Sequence, residues 1–156
     1  MRMSVFGVSA LAVLLSMGSA AKATKPGGWA DIIDDVPFKV STSRAPDEAG
    51  QKQLKVDLSI NAGKVAFRDA DGLHSGRLRV AVFYADGGRR MLGDIWKTVT
   101  LQLQEPVYRD FLKSGIPFSV TIPARTSAMY VTIVVYEMVG DRVGSRRVSV
   151  QRLFAP

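Results

Sequence analysis

The chain of 156 residues contains no cysteine. This absence excludes disulfides, thiolate metal sites, cysteine nucleophiles and a lipoprotein anchor, which needs a cysteine at its cleavage site. His74 is the single histidine, and a catalytic triad would need it beside a serine nucleophile and an acid. Ser75 is adjacent in sequence but is not supplied by a nucleophile elbow, so we interpret His74 as a solvated side chain of a polar loop. Phosphate loops and dinucleotide fingerprints are absent as well. The sequence therefore predicts no cofactor, no metal site and no enzymatic activity.

Long apolar runs are scarce too, and the most apolar one lies at the N-terminus. Arg2 precedes apolar residues 5–15, which are too few to span a bilayer, and small residues follow as far as Ala23. This pattern is typical of a secretory signal peptide over residues 1–23, with cleavage expected at Ala20, Ala21 or Ala23. An uncleaved N-terminal anchor is the alternative. We expect export to the periplasm or the extracellular space, with no transmembrane segment after leader removal.

Removal of the leader leaves about 130 residues, enough for one domain with a single core. Most of them alternate apolar and polar residues with a period of two, as half-buried strands do. Turn residues separate these stretches, and one helix is predicted between Pro106 and Gly115. The sequence thus predicts an all-β fold, an antiparallel immunoglobulin-like β-sandwich of seven to eight strands with one short helix. The residues expected to face its core are Leu54, Val56, Leu58, Ile60, Leu78, Val80, Val82, Tyr84, Val99, Leu101, Leu103, Phe118, Val120 and Ile122.

Residues 129–138 are predicted to form the central strand, because apolar side chains fall on both of its faces. On this reading Val134 lies in the sandwich core. The sandwich domain is assigned to residues 53–156, and residues 24–52 to an N-terminal linker with an edge strand at 38–41 and a loop at 42–52. Further expectations are a strand at 64–68, a connection at 69–76 and a last strand around 147–153.

Three stretches resemble a known family: residues 78–87 (LRVAVFYADG), 99–115 (VTLQLQEPVYRDFLKSG) and 134–150 (VVYEMVGDRVGSRRVSV). They are similar to the C-terminal region of secreted bacterial proteins described as von Willebrand factor A-related. The resemblance covers most of the mature chain and implies an immunoglobulin-like β-sandwich without catalytic residues. The A domain is missing, and with it the family's metal-dependent adhesion site.

Two short motifs imitate cation sites. Asp57, Ser59 and Asn61 follow the spacing of the metal-adhesion motif, but they alternate with apolar residues and are expected to face solvent on a strand. Asp69 and Asp71 offer oxygens near a turn, yet the third acidic position and the distal glutamate of a calcium loop are missing. Neither motif predicts a metal site.

Basic residues exceed acidic ones by seven, or by five once Arg2 and Lys22 leave with the leader. This excess favours anionic partners. The basic pairs, Arg89–Arg90 and Arg146–Arg147, both lie beside predicted turns, and we interpret them first as solvated loop charge and second as a binding patch. Trp96 is the best candidate for an exposed aromatic contact.

The leading hypothesis is an exported non-catalytic β-sandwich module that binds a protein partner in the cell envelope or stabilises an envelope assembly. The alternative is a basic module that binds an anionic polymer such as lipopolysaccharide, polysaccharide or nucleic acid. That alternative would be favoured by clustering on one face of Arg77, Arg79, Arg89, Arg90, Arg146 and Arg147. A hydrolase is the third hypothesis, and the chain offers no recognisable nucleophile and base for it.

Overall fold

The computed structural model of the protein describes residues 32–124, 127–128 and 130–154. The predicted leader and the beginning of the predicted linker lie outside these residues. Antiparallel strands dominate the described chain, as the sequence predicts, and one helix of ten residues interrupts them. The elements are β1 (Ile32–Asp34), β2 (Phe38–Glu48), β3 (Gln51–Ile60), a 3₁₀ turn (Ala62–Lys64), β4 (Arg68–Ala70), β5 (Leu73–Ala85), β6 (Met91–Gln104), α1 (Glu105–Ser114), β7 (Ile116–Pro123), β8 (Tyr130–Glu137), β9 (Arg142–Ser149) and α2 (Gln151–Phe154).

The strands form two sheets. The larger sheet has the order β6–β5–β8–β9–β1, and β4 lies beside the beginning of β5. The smaller sheet has the order β2–β3–β7. The chain alternates between the sheets, since β7 of the smaller sheet stands in sequence between β6 and β8 of the larger one. This crossing pattern is that of an immunoglobulin-like sandwich.

The core lies between the two sheets and consists of the alternating apolar positions. Leu54 to Ile60 on β3 and Leu78 to Tyr84 on β5 are buried at every second residue. Val99, Leu101 and Leu103 of β6 and Val120 and Ile122 of β7 are buried as well, whereas Phe118 is half-buried. Period-two alternation therefore identified the core face of these strands correctly.

In β8 the core face differs from the expected one. Val131, Ile133 and Val135 are fully buried, whereas Val134 is half-buried on the opposite face of the sheet. The register explains this, because Val134 pairs with Ala81 of β5, and Ala81 points away from Leu78 and Val80. The expectation that Val134 lies in the core was wrong.

The expected loop over 42–52 is instead most of a long β2–β3 hairpin. Its tip contains Ala49 and Gly50, both with positive φ, at 48° and 75°. The strand lacks an apolar alternation because β2 is the edge of its sheet and is largely exposed. A register shift between Ala45 and Glu48 accommodates Pro46, which an edge strand tolerates. The sandwich therefore includes residues before Gln53.

Three shorter segments also differ from expectation. The strand expected at 64–68 does not form: Lys64 ends a 3₁₀ turn, residues 65–67 are irregular, and β4 begins at Arg68. Asn61 Oδ1 caps the turn by accepting a hydrogen bond from the Gly63 amide at 2.9 Å. The expected connection at 69–76 is a β4–β5 hairpin with Asp71 and Gly72 at its tip. The last strand, β9, begins earlier than expected, and residues 151–154 are helical.

Helix α1 follows the predicted boundaries closely. Pro106 lies in its first turn, and Gly115 ends it with φ of 86° and an amide hydrogen bond to the Phe111 carbonyl. A Cβ atom on Gly115 would approach Ser59 Oγ to 2.2 Å, so a larger residue would displace the helix from β3. Among the described residues, no helix is long and apolar enough to cross a membrane.

Backbone and carboxylate contacts stabilise the β8–β9 hairpin of the larger sheet. The buried carboxylate of Glu137 accepts hydrogen bonds at 2.8 Å from the amides of Val139 and Gly140, and it pairs with Arg142. Farther along β9, the Val36 carbonyl lies so close to Gly144 that an added Cβ would be only 2.0 Å from its oxygen. Gly144 thus permits the chain between β1 and β2 to cross over β9.

Candidate interaction surface

The larger sheet carries a group of aromatic and basic side chains on the face away from the core. Because side chains alternate along each strand and paired residues share a face, the register defines this group. Phe83, Trp96, Tyr130 and Tyr136 supply its rings. We call these four residues, with Arg79 and Arg147, the outer aromatic face.

Trp96 is the most exposed ring whose contacts are defined. Its side chain is 46% exposed, although it lies opposite Ala81 in the sheet. The indole Nε1 donates a hydrogen bond to Asp94 Oδ2 at 2.6 Å, and the ring meets Phe83 edge to face at a centroid distance of 5.4 Å. These contacts fix the orientation of a large ring that faces solvent.

The residues that lie across the sheet from Trp96 have shorter side chains than the indole. The row that crosses the strands from Trp96 contains Ala81, Val134 and Ser145, and both Ala81 and Ser145 are buried. On either side of this row lie the pairs Arg79–Tyr136 and Phe83–Thr132. Because this row is largely covered, a partner would contact Trp96 and the side chains of the neighbouring pairs rather than Ala81 or Ser145.

Tyr136 is held in place by the β8–β9 turn. Its hydroxyl donates to Asp141 Oδ1 at 2.5 Å, and this hydrogen bond raises the pKa of the Tyr136 phenol above its ordinary value. The neighbouring guanidinium of Arg79 acts in the opposite direction on the pKa of the same phenol. Tyr136 thus remains a neutral, oriented ring at physiological pH.

The charge on this side of the larger sheet is mainly positive. The paired positions of β4, β5, β6, β8 and β9 that face away from the core include Arg68, Arg77, Arg79 and Arg147. Asp94 is the acidic residue among these positions, and it accepts the hydrogen bond from Trp96. Aromatic rings and arginines are thus combined on one flat sheet.

The basic pairs singled out in the sequence do not form one patch. Arg89 and Arg90 lie in the β5–β6 hairpin, where Arg90 pairs with Asp86 at 3.2 Å. Arg146 and Arg147 lie within β9 rather than beside a turn, and as strand neighbours they point to opposite faces. Arg147 belongs to the outer face through its pairing with Thr132.

Arg146 serves the sandwich edge instead. Its guanidinium pairs with Asp34 of β1 and lies 5.6 Å from the centroid of the Phe38 ring. It therefore joins β9 to β1 and covers an aromatic ring of the smaller sheet. This role separates it from the outer aromatic face.

Phe83 and Tyr136 are the surface residues that sequence reasoning missed, whereas Arg79 was among the arginines considered for a basic patch. Tyr136 lies on β8, and the sequence of a strand that is apolar on both faces does not show which face is covered. The signal that could have located Phe83 on this face is the alternation along β5. The odd-numbered residues Arg77, Arg79 and Phe83 alternate with the core residues and so lie together on the opposite face.

His74 occupies a strand rather than a solvated loop, so that interpretation was wrong. Its side chain is 16% exposed, with Nδ1 at 2.6 Å from Asp69 Oδ1 and Nε2 at 2.6 Å from Glu105 Oε2. The ring stacks on Tyr108 of α1 at a centroid distance of 3.9 Å. Ser75 faces the other side of β5, so the two neighbours do not form a nucleophile–base pair.

The two cation-like motifs have other contacts in the structure. Asp57 pairs with Lys55 at 3.1 Å, and a hydrogen bond from Ser119 lowers the pKa of the Asp57 carboxyl group. Ser59 Oγ donates to the Ser114 carbonyl at 2.9 Å, and Asp69 contacts His74. Among the residues that the structure describes, no group of three or more histidine, cysteine or acidic residues is arranged to hold a metal ion.

Comparisons with known proteins give little further guidance. No family model matches the chain, and no curated protein matches it. A solved structure described as the X-ray structure of Northeast Structural Genomics Consortium target SoR45 aligns with 74% of this chain and 83% of its own. Its TM-score is 0.35 at 5% identity, a similarity too low to support an argument.

Proposed function

We propose that the protein is an exported, non-catalytic β-sandwich module that binds a protein partner in the cell envelope through its outer aromatic face. The observation that carries this proposal is Trp96, a residue that is 46% exposed and whose indole meets the Phe83 ring edge to face on the outer side of the larger sheet. Tryptophan, tyrosine and arginine are the residues that most often dominate the binding energy of protein interfaces. The outer aromatic face contains all three.

The charge of the face indicates an acidic partner surface. Two copies packed face to face would bring Arg79 and Arg147 of one against the same residues of the other, or against nearby arginines, with Asp94 as the acidic counterpart. Such like-charge contacts oppose self-association. Carboxylates on a partner would be attracted by the positive charge of this face, while apolar side chains covered Trp96.

Export is the part of the proposal that rests on sequence. The leader predicted over residues 1–23 supports it, as does the resemblance of three stretches to the C-terminal region of secreted von Willebrand factor A-related proteins. The absence of cysteine accords with a sandwich that is stabilised by its apolar core without disulfides.

Binding of an anionic polymer is the second candidate. The feature that favours it is the location of Arg68, Arg77, Arg79 and Arg147 on the same side of the larger sheet as the aromatic rings. Aromatic platforms with basic residues also bind single-stranded nucleic acids and other polyanions. Such binding would weaken steeply with added salt.

Site-specific photo-crosslinking in the native host tests the protein-binding proposal. A photoreactive phenylalanine analogue replaces Trp96 in one variant and Lys55, exposed on the smaller sheet, in the control. We expect a discrete crosslinked protein from the Trp96 position and none from the Lys55 position. Arg79→Glu in the Trp96 variant should reduce the yield. Equal or absent crosslinks at both positions would contradict the proposal.

Binding to heparin and to DNA across a salt series separates the two candidates. Wild type is compared with Arg79→Ala/Arg147→Ala, which removes two charges from the face, and with Arg89→Ala/Arg90→Ala, which removes the same charge from the hairpin. Protein binding as the main function predicts weak attachment that all three proteins lose at moderate salt. Tight binding that is lost only in Arg79→Ala/Arg147→Ala would make binding of an anionic polymer the leading candidate function.

A further inference from the structure

His74 joins three elements that are distant in sequence. It belongs to β5, pairs in register with Asp69 of β4, and contacts Glu105, the first residue of α1. Tyr108 of the same helix stacks on the imidazole, and Phe67 meets the Tyr108 ring edge to face at 5.1 Å. The helix and the short strand are therefore attached to the sandwich around one histidine.

The two hydrogen bonds of His74 require a particular protonation state. Carboxylates only accept hydrogen bonds, so both ring nitrogens must donate, and only the imidazolium has two N–H groups. A neutral ring would present a lone pair to one carboxylate oxygen at 2.6 Å, which is repulsive. One of the two contacts must then open.

We propose that Asp69, His74 and Glu105 form a pH-sensitive clamp that holds β4 and the beginning of α1 on the sandwich when His74 is protonated and loosens them when it is neutral. We refer to these three residues as the His74 clamp. The clamp is independent of the proposed partner surface, because His74 faces the core side of the sheet and Trp96 the outer side.

The charged groups that face the imidazole all favour its protonated form. Asp69 faces it from β4 and Glu105 from α1, while β6 presents the apolar Leu103. Arg109 contacts Glu105 Oε1, the oxygen that does not face His74. The Glu105 and Asp69 carboxylates raise the pKa of His74 above its ordinary value, and the imidazolium and Arg109 lower the pKa of Glu105.

The β4 side should loosen first when His74 loses its proton. Asp69 is 78% exposed, and its strand has three residues, all of them exposed. Glu105 keeps its contact with Arg109 and its place in the helix. Movement of β4 would also free Phe67, whose ring covers Gly76 and contacts Tyr108. Apolar rings at this end of the sandwich would then become accessible.

The pH dependence follows from the direction of the shift. A group whose pKa is raised in the folded state stabilises that state fully below its unfolded pKa, about 6.5 for histidine. The stabilisation is lost as the pH rises through the folded pKa of His74. The clamp is therefore closed in mildly acidic solution and open in alkaline solution.

Proton NMR of the unmodified protein tests the first part of the proposal, because the chain has a single histidine. We expect its ring signals to titrate with a pKa above the ordinary value of about 6.5. In Asp69→Asn and Glu105→Gln, the pKa should move back toward that value. Asp71→Asn, in the same hairpin, is the matched control and should leave it unchanged. Titration of wild type at or below the ordinary value would overturn the clamp.

Hydrogen exchange tests the structural consequence. After correction for intrinsic rates, the amides that hydrogen-bond β4 to the beginning of β5 should exchange faster at pH 8.5 than at pH 6.0 in wild type, while β8 amides stay unchanged. The His74→Gln substitution should remove this difference, so that the same amides exchange at one corrected rate at both pH values. Equal wild-type protection at the two pH values would also overturn the proposal.

Discussion

Val134 and Val135 provide a matched test of which face of β8 packs in the core. They are adjacent residues of the same type, and they point to opposite faces of the larger sheet. Val135 is fully buried, whereas Val134 is half-buried beside Ala81. Truncation to alanine removes the same two methyl groups at each position. Any difference in stability therefore comes from the surroundings of the side chain.

The structure sets the expected magnitudes. In Val135→Ala, loss of two buried methyl groups costs about 1.6 kcal/mol in transfer free energy. The cavity between the sheets adds up to about 1 kcal/mol where neighbouring side chains do not relax. The total is about 1.6–2.6 kcal/mol. In Val134→Ala, no closed cavity forms and the methyl groups are already partly hydrated, so the expected loss is about 0.5–1 kcal/mol.

Equilibrium urea unfolding measures both variants against wild type. The slope m should be the same for all three proteins, since the surface exposed on unfolding hardly changes, and the midpoint of Val135→Ala should fall most. Thermal unfolding should show the same order, at about 2–4 °C per kcal/mol. Equal losses, or a larger loss in Val134→Ala, would show that the assignment of the core face is wrong.

Two further variants test the polar and close-packed contacts of the β8–β9 hairpin. Glu137→Gln replaces one carboxylate oxygen with an amide donor that faces the backbone amides of the turn, and we expect a loss of about 1–3 kcal/mol in the free energy of unfolding by urea titration. An unchanged unfolding free energy would contradict the buried carboxylate contacts. Gly144→Ala places a Cβ against the Val36 carbonyl and should lower the melting temperature far more than Gly88→Ala, whose Cβ would meet its nearest atom at 3.4 Å. Similar melting temperatures would mean that the chain before β2 does not cross β9 as described.

Local sequence pattern was sufficient where one face of a strand is apolar and the other polar. The series Leu54 to Ile60 and Leu78 to Tyr84 identified core positions, and Pro106 with Gly115 bounded the helix. These signals arise within one element. They therefore require no knowledge of its neighbours in the fold.

The features that sequence reasoning missed depend on strand pairing. Both faces of β8 are apolar, so only its register with β5 shows that Val134 is on the outer face. The contacts of His74 come from Asp69, five residues away, and Glu105, 31 residues away. Most of β2 was predicted to be a loop because an exposed edge strand does not need alternating apolar residues, and its sequence lacks them. The alternation of apolar and polar residues within one segment does not show which distant segment it pairs with.

The pairing of β1 with β9 has a consequence for the order of folding. Asp34 and Arg146, which form an ion pair across these strands, are 112 residues apart in sequence. Hairpins such as β2–β3 and β5–β6 need only short loops and can form within microseconds. Closure of β1 on β9 must await nearly the whole domain, and all-β folds with such distant contacts reach the native state in milliseconds to seconds. During synthesis, β1 therefore stays unpaired until β9, near the other end of the domain, has been made.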